Sequence, residues 1–160
     1  MIILGIDPGL ARLGYGIISA DKGECAHIAH GVIETSGALP RHERLLSLER
    51  EFCVLLKKRR PDIVAVEELF IFKNVKTAIA IAEARGVILA ASARNAKIVR
   101  EFTPLQVKQA VAGYGRATKL QVQKMVQRIL RLAHPPESDD AADALAVALC
   151  SFQTKNFENV

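Results

Sequence analysis

The chain opens on Ile2-Ile3-Leu4-Gly5-Ile6, an apolar, largely β-branched run that stops at Asp7-Pro8-Gly9. Proline and glycine force a turn there, so the pattern predicts a buried first strand. Gly14 to Ser19 and Cys25 to Thr35 predict two more strands, joined by Ala20-Asp21-Lys22-Gly23-Glu24, a turn-forming stretch of hairpin length. The three should pair as an antiparallel meander. From His42 to Arg59, Leu45, Leu46, Leu48, Phe52, Leu55 and Leu56 recur at helical spacing between charged residues, which predicts an amphipathic helix closed by Pro61. Ile63-Val64-Ala65-Val66 is a fourth strand ending at Glu67-Glu68. Strand, helix, strand in that order requires a parallel crossover.

Val75 to Ala93 reads differently, because its alanines, isoleucines and valines leave almost no polar face. Such a helix is covered on more than one side. One side suits the sheet, and the other predicts a second subunit. Lys97 to Phe102 gives a fifth strand, Pro104 to Ala112 a short helix, Lys119 to Leu132 a basic amphipathic helix broken by Pro135-Pro136, and Asp139 to Phe152 a last helix. Antiparallel strands, then βα units, then helices make an α/β layered sheet. One domain over 1–153 is expected, with a loose tail over 154–160.

The 160 residues are about one domain's worth, half apolar and a quarter charged. No uncharged apolar run nears the ~18 residues of a membrane span, and the Met1 end lacks the features of a signal peptide. No membrane partner and a cytoplasmic location are expected. Cys25, Cys53 and Cys150 are odd in number and never spaced as CxxC, which fits neither a disulfide framework nor a zinc ribbon. Charge is unevenly spread. The net charge is +5, yet the span from Arg94 to Arg131 holds nine basic residues against Glu101 alone, leaving the remainder acidic. A basic zone on an otherwise acidic chain suits a polyphosphate, because Lys and Arg displace its condensed counterions; a solvated helix face would look the same.

Three acidic loci stand out. Asp7 ends an apolar strand, where it is either a turn-former before Pro-Gly or a charge in need of a cation. Glu67 and Glu68 close the fourth strand, and alternation lets only one share a face with Asp7. Asp140 and Asp143 lie three apart on one helix face, though Asp139 and Asp143, four apart, would face together equally well. Capping and the helix dipole account for the first-turn acids but not for Asp143. Together these loci form the constellation of a two-metal hydrolytic site. Hard ions such as Mg²⁺ take carboxylate oxygens, and two of them about 3.5–4 Å apart activate a water and stabilise the leaving oxygen of a phosphodiester. Cys25, His27 and His30 do not suggest a metal site, since strand alternation puts His30 on the face opposite Cys25 and His27. Gly14-Tyr15-Gly16 and Gly113-Tyr114-Gly115 signal only tight turns. Walker A, GxSxG and HExxH patterns are absent.

Ile3-Leu4-Gly5-Ile6-Asp7-Pro8-Gly9, Gly14-Tyr15-Gly16, Ala65-Val66-Glu67-Glu68-Leu69-Phe70, Ala84-Arg85-Gly86-Val87, Gln106-Val107-Lys108-Gln109 and Asp140-Ala141-Ala142-Asp143-Ala144-Leu145-Ala146, in that order, resemble the RuvC family of Holliday junction resolvases. The resemblance runs from Met1 to about Phe152. It implies an RNase H-like fold, namely a five-stranded mixed sheet with helices on both faces. It also implies a homodimer that cuts four-way DNA junctions with Mg²⁺, two ions per subunit, for which Mn²⁺ substitutes. By the same resemblance Asp7, Glu67, Asp140 and Asp143 are the catalytic metal ligands, and Asp139 is an extra acid. Phe70 is then the aromatic that stacks on bases at the opened crossover. Lys108 and Lys119 fall where the family carries basic residues near the scissile phosphate, and Arg116 lies between them in the basic zone. Work beside a branch-migration complex of the RuvA and RuvB type, in DNA recombination and repair, is implied as well.

Rival readings remain at this stage. They are a related nuclease for structured RNA, a junction-binding protein without catalysis, and an actin-like ATPase, whose two duplicated domains exceed 160 residues.

Overall fold

The computed structural model describes residues 1–69, 75–95 and 97–157, the last three by backbone alone. Phe70, the predicted stacking aromatic, lies outside the described residues. The elements follow the hydrophobic pattern closely: β1 (Ile2–Asp7), β2 (Arg12–Asp21), β3 (Glu24–Glu34), α1 (Arg41–Arg59), β4 (Ile63–Glu67), α2 (Val75–Arg94), β5 (Ile98–Phe102), α3 (Pro104–Ala112), α4 (Lys119–Ile129) and α5 (Asp139–Phe157). The strands form one mixed sheet in the order β3-β2-β1-β4-β5. β1, β2 and β3 pair antiparallel, while β4 and β5 join β1 in parallel. This is the predicted arrangement. Asp21 pairs with Glu24, and Lys22 and Gly23 turn the hairpin at φ 46° and 84°, the left-handed values that match strand twist.

Alternation along the strands sorts the core into two layers. Leu4, Ile6, Val64 and Val66 pack under α1 and α2, against Leu48, Phe52, Leu56 and Ile88. Ile3, Ile63 and Ala65 point the other way, toward α3, α4 and α5. Asp7 and Glu67 continue the odd-numbered series, so both side chains fall on the α5 face.

α5 lies unusually close to that face, and Gly14 and Gly16 make room for it. A Cβ on Gly14 would strike the Asp140 carbonyl, and one on Gly16 would sit 2.6 Å from the Leu145 nitrogen. The Gly-Tyr-Gly motif is therefore no turn, as its composition suggested, but the strand surface on which the acidic helix rests. Asp140 reaches the sheet because β2 lacks side chains at these two positions.

Three further details depart from the pattern. Ile17 pairs with Ala29 and Ile18 with His27, so Ile28 is an extra residue in β3. That bulge resets the alternation and brings His27 and His30 to one face, where His27 Nε2 and His30 Nδ1 are 2.8 Å apart. α4 stops at Ile129 rather than Leu132, because Arg131 turns left-handed at φ 51° and the Leu132 N–H bonds back to the Gln127 carbonyl at 2.9 Å. α5 runs on from Phe152 to Phe157, and within that stretch the Thr154 hydroxyl donates to the Cys150 carbonyl at 2.9 Å. Among the described residues, no helix is long and apolar enough to cross a membrane.

Candidate active site

Four acids from three elements meet at the carboxyl ends of β1 and β4. Parallel pairing sets Ile6 beside Val66, so Asp7 and Glu67 follow side by side at the strand ends. The first turns of α5 bring Asp140 and Asp143 over them. Glu67, not Glu68, is the member of its pair that faces this centre. The Glu68 N–H instead donates to the Phe102 carbonyl at 2.8 Å, extending the pairing with β5.

The two strand acids and the two helix acids differ in their partners. Burial, reinforced by Asp143 and Asp140, raises Asp7 to about 7 against the pull of Lys119. Burial, with Asp7 and Asp143 adding repulsion, raises Glu67 to about 7, opposed by Lys108 and Lys119. Neither makes a hydrogen bond or ion pair with a described residue. Asp140, in contrast, accepts from Arg12 Nε at 2.7 Å, while Arg12 also pairs with Glu34 at 2.8 Å and donates to the Ser138 hydroxyl at 3.2 Å. Asp143 pairs with Lys119 Nζ at 3.0 Å. Burial still pushes Asp143 up despite that lysine. Asp139, the extra acid, points away from the strand acids: it pairs with Lys119 at 3.3 Å and accepts from Gln123 Nε2 at 2.8 Å.

Lys119 is fixed by its place in the chain. Thr118 caps α4, with its hydroxyl accepting from the Gln121 N–H at 3.3 Å and its own N–H donating to the Gln121 side chain at 2.8 Å. Lys119 is thus the first helical residue, aimed at Asp143. α3 has the same cap in Thr103 and Gln106, with Pro104 at its first position, and sends Lys108 inward from its middle. Glu67, Lys108, Lys119 and Asp143 line one cavity of about 190 Å³ with Val107 and Val122. Arg116 sits exposed on the turn between α3 and α4 and does not line it. The basic zone is therefore divided rather than one face: Arg94 pairs with Glu49 of α1, and Arg100 Nη1 donates to the Ser151 carbonyl at 3.5 Å, far along α5 from its acidic first turns. Arg12 was not singled out in the sequence, where a lone arginine in a strand gives no signal.

The donor set fits hard divalent ions. All four candidate ligands are carboxylates, and two are half-buried, mutually repelling and without an ion pair among the described residues, the condition that an inserted cation relieves. Among the described residues, no three His, Cys, Asp or Glu side chains are gathered as a metal-binding group. Arg12 and Lys119 are paired with the two helix acids.

A mixed sheet in this order, with helices on both faces and acids at the ends of its two central strands, is an RNase H-like nuclease architecture. The model of the family described as crossover junction endodeoxyribonuclease RuvC matches residues 3–151. A protein of that description from Caldicellulosiruptor saccharolyticus is 54% identical over 94% of this chain and 91% of its own length, and one from Alkaliphilus oremlandii is 50% identical over 98% and 96%. The structure described as T. thermophilus RuvC in complex with Holliday junction substrate superposes with a TM-score of 0.92 at 34% identity, covering 99% of this chain and 96% of that one. The chain belongs to the RuvC family.

Proposed function

We propose that this protein is a Mg²⁺-dependent endodeoxyribonuclease of a single domain that resolves four-way DNA junctions by symmetric paired nicks. The observation that carries the reading is the half-buried pair Asp7 and Glu67 at the adjacent ends of β1 and β4, without an ion pair among the described residues and beneath Asp140 and Asp143. An isolated structural role would leave such a pair only a cost. Asp7, Glu67, Asp140 and Asp143 are the ligands, and Arg12 and Lys119 give way or turn aside when the ions enter. Mg²⁺ held there supplies water activation and stabilisation of the departing 3′ oxygen. Lys119 and Lys108, on the wall of the same cavity, neutralise charge that develops on the phosphate. Arg116, exposed on the neighbouring turn, contacts the DNA backbone, and Phe70 stacks on an opened base.

Two-fold symmetry follows from α2. Val75 and Ile79 are 69% and 48% exposed, and Ala82, Gly86 and Ala90 continue the same outward stripe. A Cβ on Gly86 would meet nothing within 4 Å. That stripe is the homodimer surface, and a two-fold dimer offers two equivalent acid centres to two strands of one junction. Ala82→Glu, on the outward side, gives a folded monomer by sedimentation that has lost coordinated cutting. An unaltered dimer would move the interface elsewhere. Recombination and repair alongside a RuvA- and RuvB-type branch-migration complex is the cellular setting.

The test is one assay on a labelled four-way junction. Paired nicks that need Mg²⁺ or Mn²⁺, with linear duplex left intact, are the expected result. Cutting of structured RNA but not of DNA junctions, or binding without cutting, would replace the reading with one of its rivals.

A further inference from the structure

The acid centre has a second basic flank that no run of charge in the sequence reveals. On the α1/α2 side of the sheet a groove of about 490 Å³ is lined by Arg12, Arg41, Arg44 and Lys76, with Leu39 and Ile81 among its apolar walls. Among the described residues no acid lines it. Two other hollows of similar size, one of 480 Å³ beside Leu105 and one of 510 Å³ beside His30, are lined by no lysine or arginine among the described residues. The groove adjoins the active site through Arg12, which lines its Gly9–Arg12 wall and itself bonds Asp140.

We infer that this groove holds the sugar–phosphate backbone of the DNA strand where it runs past the acid centre. The inference rests on the functional reading above and extends it to residues outside the 94–131 zone. Lys108 and Lys119 flank the carboxylates on the α3/α4 side, and the groove flanks them on the other. A strand crossing the centre is thereby gripped on both sides of the cut.

The cations differ in how free they are. Lys76 is exposed and makes no hydrogen bond or ion pair with a described residue. Arg44 spends only its Nε, donating to the Thr35 hydroxyl at 3.0 Å, which leaves the rest of its guanidinium facing the groove. Arg41 pairs with Glu83 at 3.3 Å, an exposed contact that a phosphate can displace. Among the described residues the walls set aliphatic side chains beside the four cations, a lining that suits sugar and phosphate.

Lys76→Ala, Arg41→Ala and the double variant test this; Arg44 is left alone because its bond to buried Thr35 contributes to folding. Binding of a labelled four-way junction is measured in EDTA over a salt series, with unfolding midpoints and sedimentation of each variant alongside. Each single substitution is expected to flatten the slope of log K against log salt by about one unit, and the double by about two. Hydroxyl-radical protection of one backbone stretch beside the cut should disappear as well. An unchanged slope in the double variant overturns the groove alone. A changed oligomeric state also overturns it, marking the groove as a subunit surface. Failure of the unmodified protein to bind any junction overturns the groove together with the functional reading beneath it.

Discussion

Asp7 and Glu67 on the strands, and Asp140 and Asp143 on the helix, share one site but not one electrostatic state. The strand acids are half-buried, repel each other, and have no ion-pair partner among the described residues. The helix acids already hold cations, Arg12 and Lys119. Sheet geometry explains the contrast. A side chain at the end of a central strand is walled in by its neighbours, whereas the first turns of α5 lie near β2 and α4, within reach of long basic side chains. The protein's own cations are therefore spent on the helix pair, and the strand pair is left with its mutual repulsion.

Removing charge from the strand pair should have the largest effect. Asp7→Asn should lower junction nicking by at least about 10²-fold, as loss of a group that stabilises the transition state does. It should also raise metal-free stability at pH 8, since one of two repelling buried charges is gone. A variant that cuts at the parent rate breaks the assignment. Junction binding measured in EDTA should survive, because a lost negative charge does not weaken attraction to phosphate.

The pH dependence of the metal-free protein comes next. Both strand acids have folded-state values raised from the ordinary carboxylate range to about 7. The folded protein therefore binds protons more tightly than the unfolded chain, and stability is full below about pH 4 for these groups and is lost as pH rises to about 7. The loss is on the order of 3 kcal/mol per carboxylate. Chemical denaturation at pH 5 and pH 8 measures it, and Mg²⁺ at pH 8 should restore much of the difference. A flat profile would mean that the strand acids are solvated like any surface pair.

The helix side gives smaller effects. Arg12→Ala frees Asp140 and should tighten Mg²⁺ binding by about two- to fivefold, the worth of an exposed ion pair. Titration calorimetry reads this without any reaction. Weaker Mg²⁺ binding in the variant would show that Arg12 orients Asp140 rather than competing for it. Asp139→Asn should be the mildest change, within about threefold in cutting rate, because this exposed acid touches only Lys119 and Gln123. A large loss there would make Asp139 a ligand.

The strand and helix periods made all ten elements legible in the sequence, and the acids at apolar strand ends were legible because a charge closing a buried run has few structural reasons to be there. Spacing alone did not separate Glu67 from Glu68 or Asp140 from Asp139, since either member of each pair satisfies alternation or helical repeat. The His27 and His30 contact was hidden because a one-residue bulge at Ile28 leaves no compositional mark. Gly14 and Gly16 looked like turn residues because only the path of α5 shows what their missing side chains admit. Arg12, Arg41, Arg44 and Lys76 come from three separate elements, so their convergence into one groove exists only in the folded chain.

Carboxyl-carbon NMR titration of Asp7 and Glu67, with and without Mg²⁺, tests the contrast most directly. In the metal-free protein both carboxyl groups should titrate near pH 7, and Mg²⁺ should hold both ionised well below that. Titration of both near pH 4, unmoved by Mg²⁺, would contradict the account.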